Sequence, residues 1–104
     1  MHKYSVEVSD TAQSDIKGIV SYINLELKNP LSAKKLAVKF RKSILSLEEM
    51  PKRFNLLKDE MLSRNGIRKM AIDNYLAFYI VDDNKKIVSI IRVLYSRRDW
   101  EEII

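Results

Sequence analysis

The stretch IRKMAIDNYLAFYIVDDNKKIVSIIRVLYSRRDW, from Ile67 to Trp100, decides the fold. Apolar residues alternate with polar ones or form short runs along it, and polar pairs or clusters interrupt them. This pattern is typical of three consecutive β-strands. We place the strands at about residues 67–72, 75–81 and 86–95.

Two turn signals separate these strands. Asp73-Asn74 lies between two apolar runs and predicts a two-residue hairpin turn. The polar run at residues 82–85 predicts a second and slightly longer turn. Both connections join neighbouring strands in opposite directions, so we expect a meander of antiparallel strands.

Side-chain alternation assigns the strand residues to two faces, if Ile72 lies opposite Tyr75 and Tyr79 lies opposite Val88. One face is mostly hydrocarbon and requires cover: Ile67, Lys69, Ala71, Leu76, Phe78, Ile80, Ile87, Ser89, Ile91 and Val93. The other mixes arginine and tyrosine with apolar residues: Arg68, Met70, Ile72, Tyr75, Ala77, Tyr79, Val88, Ile90, Arg92 and Leu94. We expect the rest of the chain to cover the first face and function to lie on the second.

Length and composition exclude several classes of protein. The 104 residues predict one domain that spans residues 1–104, with a single core. The absence of cysteine excludes a disulfide framework and thiol catalysis, and His2 is the only histidine, so we expect no metal site and no cofactor. The net charge of +5 favours an anionic partner, either nucleic acid or an acidic protein. We find no membrane-spanning run and no signal peptide, which predicts a cytoplasmic protein.

The first half of the chain predicts a strand and two helices. The alternation from Lys3 to Val8 suits a half-exposed strand, and Ser9 or Asp10 caps a helix that runs to about Leu27. Gly18 within this helix predicts a close helix contact. The apolar stripe of this helix consists of Ala12, Ile16, Ile19, Val20, Ile23 and Leu27.

A second helix begins after the cap and proline pair Asn29-Pro30 and runs to about Met50. Its predicted core face consists of Ala33, Leu36, Ala37, Phe40, Ile44 and Leu47. The resulting fold class is α+β in the order β-α-α-β-β-β, with an antiparallel helix hairpin on one face of a largely antiparallel, twisted sheet.

Two segments keep alternative interpretations. The basic residues Lys34, Lys35, Lys39, Arg41 and Lys42 form either a solvated helix face, which is the commoner arrangement for lysine, or a site for a polyanion. In the loop after Pro51, Phe54, Leu56 and Leu57 either fold over the edge of the core or line a groove for a partner.

Without cysteine and with one terminal histidine, binding chemistry has to use arginine, lysine, tyrosine and carboxylates. The candidate target-binding or nucleic-acid-binding residues are Arg68, Lys69, Tyr75, Tyr79, Arg92, Arg97 and Arg98. Arginine holds phosphate through paired hydrogen bonds, and tyrosine stacks on bases. In the alternative, structural interpretation, Arg92 is a rim residue that pairs with an acid such as Asp73, and the tyrosines belong to the core with their hydroxyl groups outward.

The chain resembles the RelE/ParE superfamily of toxins from type II toxin–antitoxin systems. The resemblance rests on GIRKMAIDNYLAFYIVDD and IVSIIRVLYSRRDWEEII, and on a similar strand and first two helices. The most specific pieces are Gly66 to Lys69, Asn74 to Tyr79 and Ile91 to Asp99. The resemblance covers essentially the whole chain. It implies the same fold, a role in growth inhibition and plasmid stabilization, and a cognate acidic antitoxin whose disordered tail folds over the toxin.

Two activities occur on this fold, and the resemblance implies different residues for each. RelE-like members cut mRNA in the ribosome, and by resemblance Arg68, Tyr95 and Arg97 are the catalytic candidates. The lysine-rich segment of those ribonucleases has partial counterparts in Lys58 and Lys69, and Ile103 occupies the position of a C-terminal tyrosine. ParE-like members lack the catalytic set and inhibit DNA gyrase.

These departures and the ending from Ile91 to Asp99 favour a gyrase inhibitor. An mRNA interferase is the first alternative, and a decayed toxin that only binds its antitoxin is the second. We expect no small-molecule substrate and no membrane partner. By the alternation Tyr95 and Arg97 share the covered face, so they join Arg68 in one site only if the last strand carries a bulge or twist after Leu94.

Overall fold

A computed structural model describes residues 3–58, 65–100 and 103–104. The strands are β1 (Ser5–Val8), β2 (Ile67–Ile72), β3 (Tyr75–Asp82) and β4 (Ile87–Tyr95). The helices are α1 (Asp10–Ser21), a π-helical turn (Tyr22–Glu26), α2 (Pro30–Leu45) and two short 3₁₀ turns (Ser46–Glu48 and Pro51–Arg53). The predicted α+β class and the predicted order of elements are confirmed.

The four strands form one sheet in the order β1-β4-β3-β2. The β2–β3 and β3–β4 pairs are antiparallel hairpins, whereas β1 lies parallel to β4 because α1 and α2 intervene before the hairpins begin. Within the part of the chain that the structure describes, no helix is both long and apolar enough to cross a membrane.

Both helices begin where the capping signals predict. The Ser9 hydroxyl accepts a hydrogen bond from the Ala12 N–H at 3.1 Å, and the Asn29 side-chain oxygen accepts one from the Ser32 N–H at 3.2 Å. The helix ends differ from the prediction. The first helix becomes a π-turn after Ser21, which changes the phase of the following side chains and leaves Leu27 56% exposed outside the core.

The second helix ends at Leu45 rather than near Met50. Met50 has a left-handed backbone with φ of 51°, and this conformation turns the chain toward the 3₁₀ turn at Pro51–Arg53. The Arg53 guanidinium donates to the Glu49 carbonyl at 2.7 Å and to the Ser46 hydroxyl at 2.6 Å. It also donates to the Ser46 carbonyl at 3.2 Å. The arginine therefore satisfies backbone oxygen atoms that a longer helix would have bonded internally.

The first hairpin has the predicted register, with Ile72 opposite Tyr75. The predicted register of the second hairpin is wrong, because Tyr79 lies opposite Ile90 and not opposite Val88. The reason is a longer turn: the Asp82 carboxylate accepts hydrogen bonds from the Asn84 and Lys85 N–H groups, both at 3.0 Å. The register differs from the prediction by two residues, which is an even number. The side chains in the first half of β4 therefore remain on their predicted faces.

A bulge in β4 does change the faces. Phe78 pairs with Arg92 and Tyr79 with Ile90, which leaves Ile91 as an extra residue between them. The N-terminal part of the first helix supports this bulge, because the Ser9 hydroxyl donates to the Ile91 carbonyl at 3.2 Å. Val93 and Leu94 consequently lie on the faces opposite to those predicted, and the bulge comes before Leu94 rather than after it.

The helices cover the sheet face that contains Arg68 and Tyr79, and not the mostly hydrocarbon face. The predicted choice of the covered face is therefore wrong. The main core lies between the helix hairpin and this sheet face. It contains Ala12, Leu36, Phe40, Ile44, Leu47, Met70, Ile72, Ala77, Tyr79, Val88, Ile90 and Val93. The predicted core positions of both helices, apart from Leu27, Ala33 and Ala37, lie in or against this cluster, as Phe54 does. Ala33 is nevertheless buried.

A second, smaller cluster covers the opposite face of the sheet. Its buried members are Leu57, Ile67, Phe78 and Leu94, and Leu76, Ile80, Ile91, Trp100, Ile103 and Ile104 pack against them. Leu57 thus follows the core-edge interpretation of its loop, whereas Leu56 is 40% exposed. Short segments next to the hairpins therefore supply the cover that the alternation pattern predicts for the helices.

Candidate functional site

Arg68 and Tyr79 occupy paired positions on β2 and β3, on the face that the helices cover. The Tyr79 ring is fully buried, and its hydroxyl group donates to the Pro51 carbonyl at 2.6 Å. The Arg68 guanidinium donates to the Phe54 carbonyl at 2.7 Å. Both polar groups bind the backbone of the segment that follows α2, which explains how a face with arginine and tyrosine becomes the buried one.

Burial raises the pKa of the Tyr79 phenol above its ordinary value, although the charges of Arg68 and Arg53 act in the opposite direction. A buried phenol with a raised pKa is neutral at physiological pH. The prediction that Tyr79 faces solvent is wrong, because its ring is buried in the core.

Arg92 pairs with an acid, as the structural interpretation of the sequence required, but the acid is Asp15 and not Asp73. Its guanidinium donates to both Asp15 carboxylate oxygen atoms, at 2.8 and 3.0 Å. The Val93 N–H, next to the bulge, also donates to this carboxylate at 2.9 Å. The hydrogen bonds with Asp15 raise the pKa of Arg92, and the ion pair fixes α1 to β4. Asp73 instead pairs with Lys39 of the basic helix face.

Tyr75 and Tyr95 lie opposite each other at the end of the sheet where the turn between β2 and β3 lies. Their ring centroids are 5.8 Å apart at 67°, and Tyr75 also contacts the Phe40 ring at 5.6 Å. Burial, followed by the nearby Tyr95 and Asp73, raises the pKa of the Tyr75 phenol. Tyr95 remains 40% exposed.

Arg68 and Tyr95 do not belong to one site. Arg68 pairs with Tyr79 and Tyr95 pairs with Tyr75, so the two positions are offset by four residues of β3, or about 13 Å along the strand. Arg97 is exposed just beyond the end of β4. The three residues that the ribonuclease alternative requires are therefore not gathered around one reacting group.

Lys69 lies on the other face of the sheet, with its ammonium group 5.4 Å from the centre of the Trp100 ring. The Trp100 ring in turn packs on Phe78, with centroids 5.1 Å apart. Lys58 and all four lysines of α2 are exposed. Ile103 packs against the smaller core cluster.

One cavity does gather three of the predicted residues. The tyrosine pocket, of about 300 Å³, is lined by Asp15, Gly18, Ile19, Tyr22, Tyr75, Val93, Leu94, Tyr95 and Arg98. Gly18 and Tyr22 are absent from the predicted site, although their spacing of four residues places them on one side of a helix. The prediction of a close contact at Gly18 is wrong, because a Cβ atom added there would meet no atom within 4 Å.

A second depression is larger and mostly apolar. This helix groove, of about 600 Å³, lies between β1 and the two helices and is lined by Val6, Val8, Gln13, Ile16, Lys17, Ala37, Phe40, Arg41, Ile44 and Leu45. Two of its ten lining side chains are cations, and none is a carboxylate. β1 is also an edge strand of the sheet. The groove thus combines an apolar floor with positive charge.

Comparison with protein families matches residues 6–100 to the family described as the ParE toxin of the type II toxin-antitoxin system parDE. This chain belongs to the ParE toxin family. The match covers all the helices and strands except the first residue of β1, which confirms the superfamily assigned by resemblance. Comparison with curated proteins gives no significant match.

Solved structures from both branches of the superfamily have the same fold. A chain of the chromosomal ParDE system of Pseudomonas aeruginosa superposes with a TM-score of 0.70 at 19% identity, covering 91% of this chain and 98% of its own. The Mycobacterium tuberculosis RelBE2 complex gives 0.66 at 22% identity, with coverages of 89% and 98%. The intact Escherichia coli RelBE complex gives 0.63 at 17% identity, with coverages of 91% and 99%. At these identities the likeness concerns the fold.

Proposed function

We propose that this ParE-family toxin arrests growth by binding and inhibiting DNA gyrase, without cleaving RNA. The observation that carries the proposal is the separation of the ribonuclease candidates. General acid–base catalysis requires the acting groups within hydrogen-bond reach of one substrate, about 3 Å from the atoms they serve. Arg68 and Tyr95 lie four strand residues and two strands apart, so they cannot serve one phosphodiester together in this conformation.

The local contacts of these residues support the same proposal. Arg68 already bonds the Phe54 carbonyl, and the Tyr95 ring packs against Tyr75. Both side chains therefore have packing or hydrogen-bonding roles in the folded chain. A binding toxin needs only a complementary surface, whereas a ribonuclease needs its catalytic groups together in a fixed arrangement.

A supercoiling assay with purified gyrase tests the target. We expect the purified chain to inhibit supercoiling, and we expect Tyr95→Phe to inhibit equally well because the phenol has no catalytic task. The same preparations should leave a translated mRNA uncut in primer extension.

Two outcomes would contradict the proposal. Normal supercoiling together with mRNA cleavage in the ribosomal A site that disappears with Arg97→Ala would establish the interferase alternative. Unchanged growth after expression without antitoxin would establish a decayed toxin. Parallel measurement of DNA and protein synthesis after induction distinguishes these outcomes in cells, because inhibition of gyrase lowers DNA synthesis first.

We further propose that a cognate acidic antitoxin neutralises this toxin by placing an amphipathic segment in the helix groove. The structural relatives include toxin–antitoxin complexes, and the groove of this chain joins apolar residues to Lys17 and Arg41. A segment with apolar and acidic side chains would complement both features, and folding on binding suits a disordered tail.

Charge reversal tests this partner surface. Arg41→Glu should weaken antitoxin binding by about tenfold or more, because it replaces attraction by repulsion at the groove wall. Lys34→Glu, at an exposed position of the same helix outside the groove lining, is the matched control and should bind nearly as the unchanged chain does. Equal losses for both variants would mean that the antitoxin responds only to overall charge.

A further inference from the structure

The tyrosine pocket contains a glycine that the fold itself does not require. Gly18 lies within α1, where glycine costs about 1 kcal/mol of helix stability relative to alanine. An added Cβ atom would meet no atom of the described residues within 4 Å, so none of the described elements requires glycine there. The glycine instead keeps the wall of the pocket open, and a molecule that enters the pocket would use that space.

The pocket also presents aromatic rings, and hydroxyl groups that the described residues leave without a hydrogen-bond partner. Tyr22 is 57% exposed and Tyr95 40% exposed, although both are large apolar side chains. In the described part of the chain, the hydroxyl groups of Tyr4 and Tyr79 form hydrogen bonds with other residues. Those of Tyr22, Tyr75 and Tyr95 form none there. The pocket thus combines aromatic surface with three groups that can donate or accept hydrogen bonds.

Positive charge lies at the same opening. Arg98 lines the pocket, whereas the carboxylate of Asp15 is already occupied by the Arg92 guanidinium and the Val93 N–H. The free charge that an incoming molecule would meet is therefore positive. A complementary ligand has a flat aromatic surface, polar groups along its edge and a nearby anion.

We propose that the tyrosine pocket binds one unpaired nucleotide of a single-stranded nucleic acid, with the base against Tyr22 and Tyr95 and its phosphate on Arg98. A base has the required face and edge, and the phosphate is the required anion. An aromatic side chain of a protein partner would occupy the same walls but would leave most of the hydroxyl groups unpaired. The volume of about 300 Å³ is sufficient for one such unit and lies at the lower limit of small-ligand sites.

This proposal does not rest on gyrase as the target. It predicts binding to nucleic acid by the purified chain alone, so its failure would leave the supercoiling result unaffected. Conversely, a chain that fails to inhibit gyrase could still bind a single strand in this pocket.

Nuclear magnetic resonance can test the proposal with a built-in reference, because Gly18 and Gly66 are the only glycines and their amide resonances are easily recognised. Titration with a single-stranded hexadeoxynucleotide or hexaribonucleotide should shift the Gly18 resonance in a saturable way and should leave Gly66 unchanged. The matching duplex should shift neither resonance. The two sugars reveal whether the site prefers DNA or RNA.

Three variants in the pocket and one control variant outside it assign the binding to the pocket. Gly18→Leu fills open space and should fold normally while it abolishes the binding. Ser14→Leu adds the same side chain one helical turn earlier, at an exposed position outside the pocket lining, and should retain binding. Tyr95→Ala should weaken binding by about 5- to 150-fold through lost stacking. Arg98→Gln should reduce both affinity and its dependence on salt concentration, because one phosphate contact is lost.

Three results would overturn the proposal. The first is the absence of any Gly18 shift at millimolar oligonucleotide. The second is binding that Gly18→Leu leaves intact, which would assign nucleic acid to the basic surface in general. The third is saturable occupation of the pocket by an acetylated acidic peptide with one tyrosine when neither oligonucleotide binds, which would assign the pocket to a protein partner.

Discussion

The two faces of the sheet are covered in different ways, and the difference shows how this fold distributes stability and function. The helix hairpin covers one face with a continuous core, and ionic or polar contacts secure it at both ends. Asp15 joins α1 to β4, and Tyr79 joins β3 to the segment after α2. The other face, here called the tail side, has a smaller cluster that is covered by Leu57, Trp100, Ile103 and Ile104.

The two covers consist of different kinds of chain segment. The cover on the helix side consists of long regular elements whose backbone hydrogen bonds are internal. The cover on the tail side consists of short segments that gain order mainly from apolar contact, such as the Trp100 ring on Phe78. We therefore expect substitutions on the helix side to affect global unfolding and substitutions on the tail side to affect local opening.

The largest effect should come from Phe40→Ala, which removes a side chain with 1% exposure from the helix-side core. The lost burial and the resulting cavity should lower the free energy of unfolding by about 3–5 kcal/mol. Urea denaturation followed by far-ultraviolet circular dichroism measures the loss. A change below about 1 kcal/mol would mean that the helix hairpin contributes little to global stability and would remove the basis of the comparison.

A smaller loss should follow Asp15→Asn, which removes the carboxylate charge that holds Arg92 and weakens the acceptor of the Val93 N–H. These side chains are partly accessible, at 14% for Asp15 and 25% for Arg92, so solvent screens the pair in part. We expect a loss of about 1.5–3 kcal/mol in urea denaturation.

A double-mutant cycle with Arg92→Gln separates the ion pair from the backbone contact. The two substitutions should be clearly non-additive, because each removes the same interaction. Strict additivity would show that Asp15 acts through the Val93 N–H alone.

Trp100→Ala tests the tail side and should cost less, about 1–2 kcal/mol, because the tryptophan is only partly buried. Its distinctive consequence should be local. Hydrogen exchange of the β2 and β3 amides should accelerate more than that of α1 or α2, since the substitution uncovers Phe78. Uniform acceleration across the molecule would show that both faces unfold together.

The smallest effect concerns alkaline pH. Burial raises the folded-state pKa of Tyr79, so its stabilising contribution is complete below the unfolded value near ~10 and is lost as pH rises through the folded value. The difference in unfolding free energy between the unchanged chain and Tyr79→Phe should therefore shrink as the pH rises above about 10. Urea midpoints between neutral pH and pH ~11 measure this difference. A difference that stays constant would mean that Tyr79 ionises as freely in the fold as in the unfolded chain.

Local sequence signals predicted the elements well. The caps at Ser9 and Asn29, the turn at Asp73 and the apolar stripe of α2 act over three or four residues, so the chain itself contains the information. The family resemblance was confirmed by the match over residues 6–100. The class α+β and the two hairpin pairings follow from these elements and from the connections between them, whereas the parallel pairing of β1 with β4 was not predicted.

The candidate site was predicted only in part. Tyr75, Tyr95 and Arg98 line the tyrosine pocket, whereas Arg68 lies elsewhere and Gly18 went unrecognised. Whether a residue such as Tyr79 is core or surface depends on a hydrogen-bond partner 28 positions away in the chain. Alternation along a strand contains no information about such a partner.

The sequence by itself determined the helices, the strands, the first turn and the family, because hydrophobic periodicity and capping are local. Only the tertiary structure decided which sheet face the helices cover and where β4 bulges. The bulge at Ile91 is stable because Ser9 and Asp15 satisfy its displaced backbone groups, and these residues come some 80 positions earlier in the chain. One inserted strand residue then reverses every following side chain, which directs Val93 and Tyr95 to the tyrosine pocket and Leu94 to the smaller core cluster.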